Sequence, residues 1–409
     1  MPFSIVIGLL SAALGGRVTA QSSALKVVQA ELQYSKDLTL APFVPIIEFA
    51  MADQTEKLKG IFDTGSSDIV VPQTSSPICQ NEQQQCIIPT KTGFLAGAFY
   101  PKKAQGVTTL DVPLNASFVN GAGFQGGYIK TAVAVGGATV PDTQLGLFFN
   151  GSLPPETPLF PIFGVGPVQG EAAPRVYPNL VAHMKDIGAI KSNSFSVYTN
   201  DFRAGNGSVV FGGVDTTKFT GQLQETRIER SNDGALPSFV IQFSSLKMVM
   251  GGARSSVPSP CDGPPRMPAV QDLAPRNGLG FSLLDSGNPG IGIPAASIEI
   301  MAKVLRTTFS QRDGLGLVDC NLLNNRSMLT FGFNQDKIKI DMPLDTIVVP
   351  ARFVKGTGCA LPIFPSQDTA SLGFPFLQSV YVVFDMDKER LLLAQAKLNV
   401  TESNIKEFP

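Results

Sequence analysis

Ile61-Phe62-Asp63-Thr64-Gly65-Ser66-Ser67 and Leu283-Leu284-Asp285-Ser286-Gly287-Asn288-Pro289 are the two stretches on which the fold turns. Each reads apolar, apolar, Asp, hydroxyl residue, Gly, short polar residue. Each is followed at the same offset by a proline that closes a small apolar strand, Pro72 in the first copy and Pro294 in the second. Alone, Asp-Thr-Gly is an ordinary strand-to-turn sequence. Two copies in matching contexts, one per half of the chain, predict two related lobes whose carboxylates meet face to face across a cleft.

The surroundings repeat in the same order, which is the signature of an internal duplication. Ile162-Phe163-Gly164-Val165-Gly166 trails the first Asp, and Ser371-Leu372-Gly373-Phe374 trails the second. From Phe43 to Val140, β-branched and aromatic clusters recur at short intervals between Gly, Asn and Pro turns, an all-β pattern. Helices are few. One is expected over Tyr177 to Ile187, where Leu180, Val181, Met184 and Ile187 recur at helical spacing. A second runs from Ala295 to about Phe309, with Ile298, Met301, Ala302 and Leu305 on one face. The Pro/Gly/Ser-rich stretch between Gly251 and Gly278 reads as an exposed insertion.

The chain of 409 residues suffices for two substantial domains, and 43% hydrophobic with 16% charged residues is a globular composition. A net charge of -1 supplies no basic field for nucleic acid or acidic lipid. Residues 1–20 read as a secretory signal: the apolar run Ile5 to Leu14 is too short to span a bilayer and ends in Val18-Thr19-Ala20. No later run is long and uncharged enough to cross a membrane. Sequons at Asn115, Asn150, Asn206, Asn325 and Asn399 favour the secretory route and are glycosylation candidates. Of the five cysteines, Cys79 and Cys86 would close a small loop, Cys320 and Cys359 would staple the second half, and Cys261 is left over. Zinc is the rival use of cysteine, but there is no Cys-x2-Cys pair and His183 is the only histidine. That single histidine also leaves no inventory for a Ser-His-Asp or Cys-His triad, and it reads as a structural or surface residue. No metal and no cofactor is called for.

With Phe62 to Ser67 and Leu284 to Gly287 stand Asn193-Ser194-Phe195-Ser196-Val197-Tyr198, Val210-Phe211-Gly212-Gly213-Val214-Asp215, Phe219-Thr220-Gly221 and Tyr381-Val382-Val383-Phe384-Asp385. Together, from about residue 43 to 397, they resemble the pepsin-like, two-lobed eukaryotic aspartic proteases. The resemblance implies a bilobal all-β acid-protease fold. It implies lobes over 41–200 and 201–400, a pro-segment or flexible arm at 21–40, and a polar tail at 401–409. Both cysteine pairs match the family's usual bridges. It also implies that Asp63 and Asp285 share one proton and activate a water for hydrolysis of peptide bonds, with an acidic optimum. Thr64 and Ser286 would tie each loop to the other's backbone, Gly65 and Gly287 would turn the chain tightly, and Ser66 would hold the outer oxygen of Asp63.

The sequence departs from the family pattern around this dyad. Asn120 occupies the place of a flap tyrosine in Phe118-Val119-Asn120-Gly121-Ala122-Gly123, with Gly121 and Gly123 as the flap glycines. Val70 stands where that tyrosine's tryptophan partner is usual, and Tyr128 is the nearest replacement. Asn288 replaces a small hydroxyl residue, though its amide retains the capacity to donate to a carboxylate. Pro161 and Pro375 alter the two apolar-Gly segments. Losing flap contacts costs rate, whereas losing either Asp abolishes the mechanism. The expectation is therefore a secreted or vacuolar, monomeric aspartic endopeptidase acting on polypeptides. The alternative is an impaired homologue that uses the cleft as a binding or inhibitor protein; a structural scaffold would not require both acids.

Overall fold

The structure is a computed structural model and describes residues 25–34, 44–80, 86–87, 89, 94–154, 159–251, 270–323, 326–349 and 356–409. The signal at 1–20, Cys261, Asn325 and most of the Pro/Gly-rich insertion lie outside the described residues.

The first lobe contains β1 (Val28–Tyr34), β2 (Pro45–Met51), β3 (Leu58–Asp63), β4 (Ile69–Pro72), β5 (Thr108–Ser117), β6 (Gly123–Val135), β7 (Ala138–Ser152), β8 (Ile162–Gly164) and the helix α1 (Leu180–Asp186). β9 (Ser194–Tyr198), β10 (Asn206–Phe211), β11 (Gly213–Asp215) and β12 (Phe219–Arg227) lead across to the second lobe. That lobe opens with β13 (Val240–Val249), β14 (Val270–Asp272), β15 (Phe281–Leu284), β16 (Ile291–Pro294) and α2 (Ala295–Leu305). It continues with β17 (Phe309–Ser310), β18 (Gly314–Leu315), β19 (Met328–Phe333), β20 (Ile338–Pro343), β21 (Ile363–Ser366), β22 (Ala370–Leu372) and the one-turn α3 (Phe374–Leu377). β23 (Val380–Asp385), β24 (Arg390–Ala396) and β25 (Ile405–Glu407) complete the chain.

The molecule is mostly β, with the strands in two large sheets. A 13-stranded sheet runs β12-β24-β23-β9-β10-β1-β2-β3-β8-β4-β7-β6-β5, so strands from both halves of the chain share one surface. An eight-stranded sheet of the second lobe runs β20-β19-β13-β15-β22-β16-β21, with β14 on β13.

The duplication seen in the sequence reappears strand for strand. β3 pairs parallel with β8, β8 antiparallel with β4, and β4 parallel with β7. In the second lobe β15 pairs parallel with β22, β22 antiparallel with β16, and β16 parallel with β21. The apolar-Gly segments thus lie between the strand that carries each Asp and the strand that follows it. Parallel pairing buries both faces of a strand, which is why Ile69-Val70-Val71-Pro72 is apolar without alternation and buried throughout. Beneath the junction, Phe195 stacks on Phe384 at 4.6 Å, Phe384 meets Phe239 at 4.5 Å, and Phe62 approaches Phe195 edge-on at 6.2 Å. Ring pairs of this kind contribute roughly 0.5–1.5 kcal/mol each beyond their buried area. They stiffen the floor on which both Asp loops stand.

Four sequence expectations shift. The stretch 21–40, read as a pro-segment or arm, contains β1, whose Val28, Ala30, Leu32 and Tyr34 are buried between β10 and β2. Its polar residues are the outward half of a strand alternation, and a single strand of period 2 is easily read as mixed polar chain. The tail 401–409 carries β25, paired with β11, and Phe408 is buried. The expected insertion ends early, because Val270–Asp272 pairs with β13. Both long helices form, shorter than expected; α1 starts at Leu180 because Asn179 caps it, accepting the Ala182 N–H at 3.2 Å.

Bridges join Cys79 to Cys86 and Cys320 to Cys359, with Cα–Cα distances of 5.5 and 5.2 Å. No helix of the described residues is long and apolar enough to cross a membrane.

Candidate active site

Each Asp sits where a strand ends and its parallel neighbour continues. Asp63 is the last residue of β3, and its carbonyl accepts the Val165 N–H at 2.9 Å beyond β8. Asp285 follows β15, and its N–H donates to the Leu372 carbonyl of β22 at 3.2 Å. The two loops then lock together reciprocally. Thr64 Oγ1 donates to the Leu284 carbonyl at 2.8 Å and accepts the Ser286 N–H at 2.9 Å. Ser286 Oγ donates to the Phe62 carbonyl at 2.6 Å and accepts the Thr64 N–H at 3.0 Å. Four buried hydrogen bonds related by the internal duplication bring the two halves together at this point.

The glycines allow the closest approach. A Cβ at Gly65 would lie 2.5 Å from Asp285 Oδ1, and one at Gly287 would lie 2.6 Å from Asp63 Oδ1. Each glycine therefore faces the other loop's carboxylate, with no room for a side chain. Its own N–H serves its own loop: Gly65 N–H reaches Asp63 Oδ1 at 2.8 Å and Gly287 N–H reaches Asp285 Oδ1 at 3.0 Å.

The loops differ at the outer oxygens. Ser66 Oγ donates to Asp63 Oδ2. Asn288 does not do the same for Asp285, contrary to what its amide allows. Its Nδ2 donates to Ser371 Oγ at 2.6 Å and its Oδ1 accepts the Gly290 N–H at 2.9 Å, so it braces the loop against β22. Among the described residues no hydroxyl reaches Asp285. Burial, then the Asp63 charge and the hydrogen bond shared with it, hold the Asp285 carboxyl well above the usual range, against the Gly287 and Asn288 N–H groups. Two carboxylates this close titrate as a unit.

The hairpin expected to serve as the flap is β5 and β6. At its turn Gly121 N–H donates to the Phe118 carbonyl and Phe118 N–H to the Ala122 carbonyl, both at 2.9 Å. Gly121 has φ +86°, a conformation that glycine adopts without strain. Gly123 opens β6. Asn120, expected at the flap tyrosine's place, is exposed at the tip, and its Oδ1 accepts the Ala122 N–H at 2.9 Å. An Asx side chain two residues before a free N–H closes onto its own turn, which the motif alignment could not convey. The apolar lining comes instead from Phe118 against Phe124 at 5.6 Å and Phe124 stacked on Phe148 at 4.3 Å. Val70, the residue at the tryptophan position, is buried in the same cluster as Phe124, Phe148, Tyr128 and Tyr177.

Tyr128 points inward, and its hydroxyl donates to Asp68 Oδ1 at 2.8 Å. Sequence reasoning passed over Asp68, Tyr177 and Glu171. Tyr177 Oη also donates to Asp68 Oδ1 at 2.6 Å, Ala172 N–H donates to Asp68 Oδ2 at 2.7 Å, and Glu171 Oε2 accepts the Tyr177 N–H at 2.9 Å. Burial, opposed by that N–H and reinforced by Asp68, pushes the Glu171 carboxyl up to about 8. The available signal was Asp68 itself, an acid at the head of the apolar run Ile69-Val70-Val71, which requires buried partners. His183 lies on α1 with Nε2 2.7 Å from the Pro141 carbonyl, away from both loops. The sequons at Asn115, Asn150, Asn206 and Asn399 are all exposed.

Comparison with known proteins follows this geometry. The profile of the family described as "Eukaryotic aspartyl protease" matches residues 47–396. The "Probable aspartic-type endopeptidase opsB" of Aspergillus oryzae is 30% identical over 363 residues, covering 86% of this chain and 68% of that protein. "Barrierpepsin" of Saccharomyces cerevisiae is 25% identical, covering 85% of this chain and 59% of its own length. "Secreted aspartic protease 3" of Candida albicans is 27% identical over 95% of this chain and 85% of its own. The crystal structure of the aspartic proteinase from Irpex lacteus superposes with a TM-score of 0.64 at 16% identity, over 92% of this chain and 99% of that one. With a match that takes in both Asp loops and nearly every strand of both sheets, this chain belongs to the eukaryotic aspartyl protease family.

Proposed function

We propose that the protein is an active endopeptidase that hydrolyses polypeptides in acid by means of a water activated between Asp63 and Asp285. The observation that carries this reading is the reciprocal lock of Thr64 and Ser286, which holds the two carboxyl groups at one point, and the raised Asp285 carboxyl supports one proton shared by the pair. Ionised Asp63, supported by the Gly65 N–H and Ser66 Oγ, takes a proton from the water as it attacks the scissile carbonyl carbon. Protonated Asp285 donates its proton to the carbonyl oxygen, giving a neutral tetrahedral diol. Collapse of the diol breaks the C–N bond: the proton gained by Asp63 goes to the leaving amine, and one diol hydroxyl returns its proton to Asp285 as the carboxyl product forms. The step needs one carboxyl and one carboxylate, so activity falls as pH rises far enough to strip the shared proton.

Secretion is supported by the amino-terminal signal, the exposed sequons and the two disulfide bridges, and the protein is proposed to act as a glycosylated monomer. Lobes over 41–200 and 201–400 remain the working division, with any removable segment ending before Val28, since β1 belongs to the shared sheet.

The test is cleavage of an acid-unfolded protein substrate across pH, with Asp285→Asn alongside. Turnover that peaks in acid and vanishes in the variant supports the reading. Equal turnover by both, or none by either while a hydroxyl-isostere peptide still binds, would make the cleft a binding site only.

A further inference from the structure

The flap lacks the tyrosine that would reach over the cleft, and the strand after the first Asp lacks a tryptophan to receive it. The buried carboxylate of Asp68 lies where those two elements meet. Asp68 heads β4, five residues beyond Asp63 in sequence. Its backbone is fixed to β8 by the Gly164 N–H, which donates to its carbonyl at 3.1 Å. One oxygen of its side chain receives two phenols, Tyr128 from flap strand β6 and Tyr177 from the approach to α1, whose rings meet edge-on at 5.7 Å. Tyr128 is completely buried and Asp68 is 5% exposed, so neither bond is shared with bulk water.

We propose that Asp68 is the positioning residue of the flap: through Tyr128 it ties the base of the flap hairpin to the first catalytic loop. The tie works from beneath the hairpin, where a tyrosine–tryptophan pair would work from its tip. Beyond Tyr128 the hairpin is held by its own ladder, by the pairing of Gly123 to Gly127 with β7, and by the ring contacts of Phe118 and Phe124. The tip residue Val119 is fully exposed, and among the described residues Tyr128 is the hairpin side chain that bonds to Asp68, next to the loop that carries Asp63. Asp68 touches no substrate atom in this account. It sets how often, and at what height, the flap closes over the dyad.

The catalytic consequence rests on the endopeptidase reading, whereas the mechanical one does not. The test compares Tyr128→Phe with Tyr177→Phe in the full-length secreted protein. Each variant removes one phenol hydroxyl from the same carboxylate oxygen and leaves the other in place, so both are expected to fold. Only the first loosens the flap. Hydrogen–deuterium exchange of the segment Ser117 to Gly127 is expected to quicken about tenfold in Tyr128→Phe, the worth of one buried hydrogen bond, and to stay within about twofold in Tyr177→Phe. In the same preparations kcat/KM on a peptide substrate should fall about tenfold in Tyr128→Phe and much less in Tyr177→Phe, although both lower Tm alike. Equal acceleration of flap exchange in both variants, or none in either, overturns the tie and leaves the cluster as ordinary core. A wild-type protein that cleaves nothing defeats the endopeptidase reading while the exchange comparison still decides this one.

Discussion

At the residue scale, the two Asp loops are copies with one consequential difference. Ser66 gives the outer oxygen of Asp63 a hydroxyl donor, while Asn288 turns to Ser371 and Gly290 and leaves Asp285 without one. Ser66→Ala should lower kcat by roughly tenfold for one charge-assisted hydrogen bond, as initial rates against the wild type would show. Asn288→Thr should act on the basic limb of the pH–rate profile. A hydroxyl offered to Asp285 favours its ionisation, so activity should disappear at lower pH than in the wild type. Gly65→Ala has no tolerated outcome, since its Cβ would meet the Asp285 carboxylate at 2.5 Å. It should yield protein that fails to bind a hydroxyl-isostere peptide in a calorimetric titration.

At the scale of elements, the apolar-Gly segments and the Asp strands were legible together because a parallel, doubly buried strand leaves an unbroken apolar run. Ile162-Phe163-Gly164 and Ser371-Leu372-Gly373 could be matched to the Asp loops from order alone. Less legible was whatever depends on where a side chain points. Asn120 folds back on its own turn, Asn288 reaches β22, and Tyr128 points into the lobe, because local hydrogen-bonding partners decide among orientations that the sequence leaves equal. β1 went unread for a different reason: its outward residues are polar, and its partners on β10 lie far off in sequence. The disulfides carry a prediction at this scale. Cys320–Cys359 spans 39 residues and Cys79–Cys86 spans 7, so the longer loop loses more unfolded-state entropy. Removing it should cost about 1.5 kcal/mol more than removing the short one, as denaturant midpoints of the two double-alanine variants would show.

For the whole molecule, carboxyls with raised folded values favour stability in acid. The folded-state values of Asp285 and Glu171 lie above their ordinary ones, Glu171 at about 8 against 4.5. A raised folded value means that the unfolded chain loses its proton first. The contribution of Glu171 is thus fully present below about pH 4.5 and is lost as pH climbs toward about 8. Asp215 acts at the other end: burial works against it, but the Asn404 N–H, Ser403 and Thr217 hold its carboxyl below the ordinary range, so the docking of β25 weakens as pH falls. Tm should therefore be highest in mild acid, and Glu171→Gln should flatten its decline toward neutrality in a calorimetric pH series. The central claim is that the two halves of the molecule meet to make one catalytic unit from two carboxylates. Its most direct test is a double-mutant cycle on kcat/KM in acid with Asp63→Asn, Asp285→Asn and the pair. If the carboxylates act together, each single variant loses roughly as much as the double, on the order of ten-thousandfold or more. Single losses that multiply in the double variant, or a single variant that retains turnover near the wild-type rate, would contradict the account.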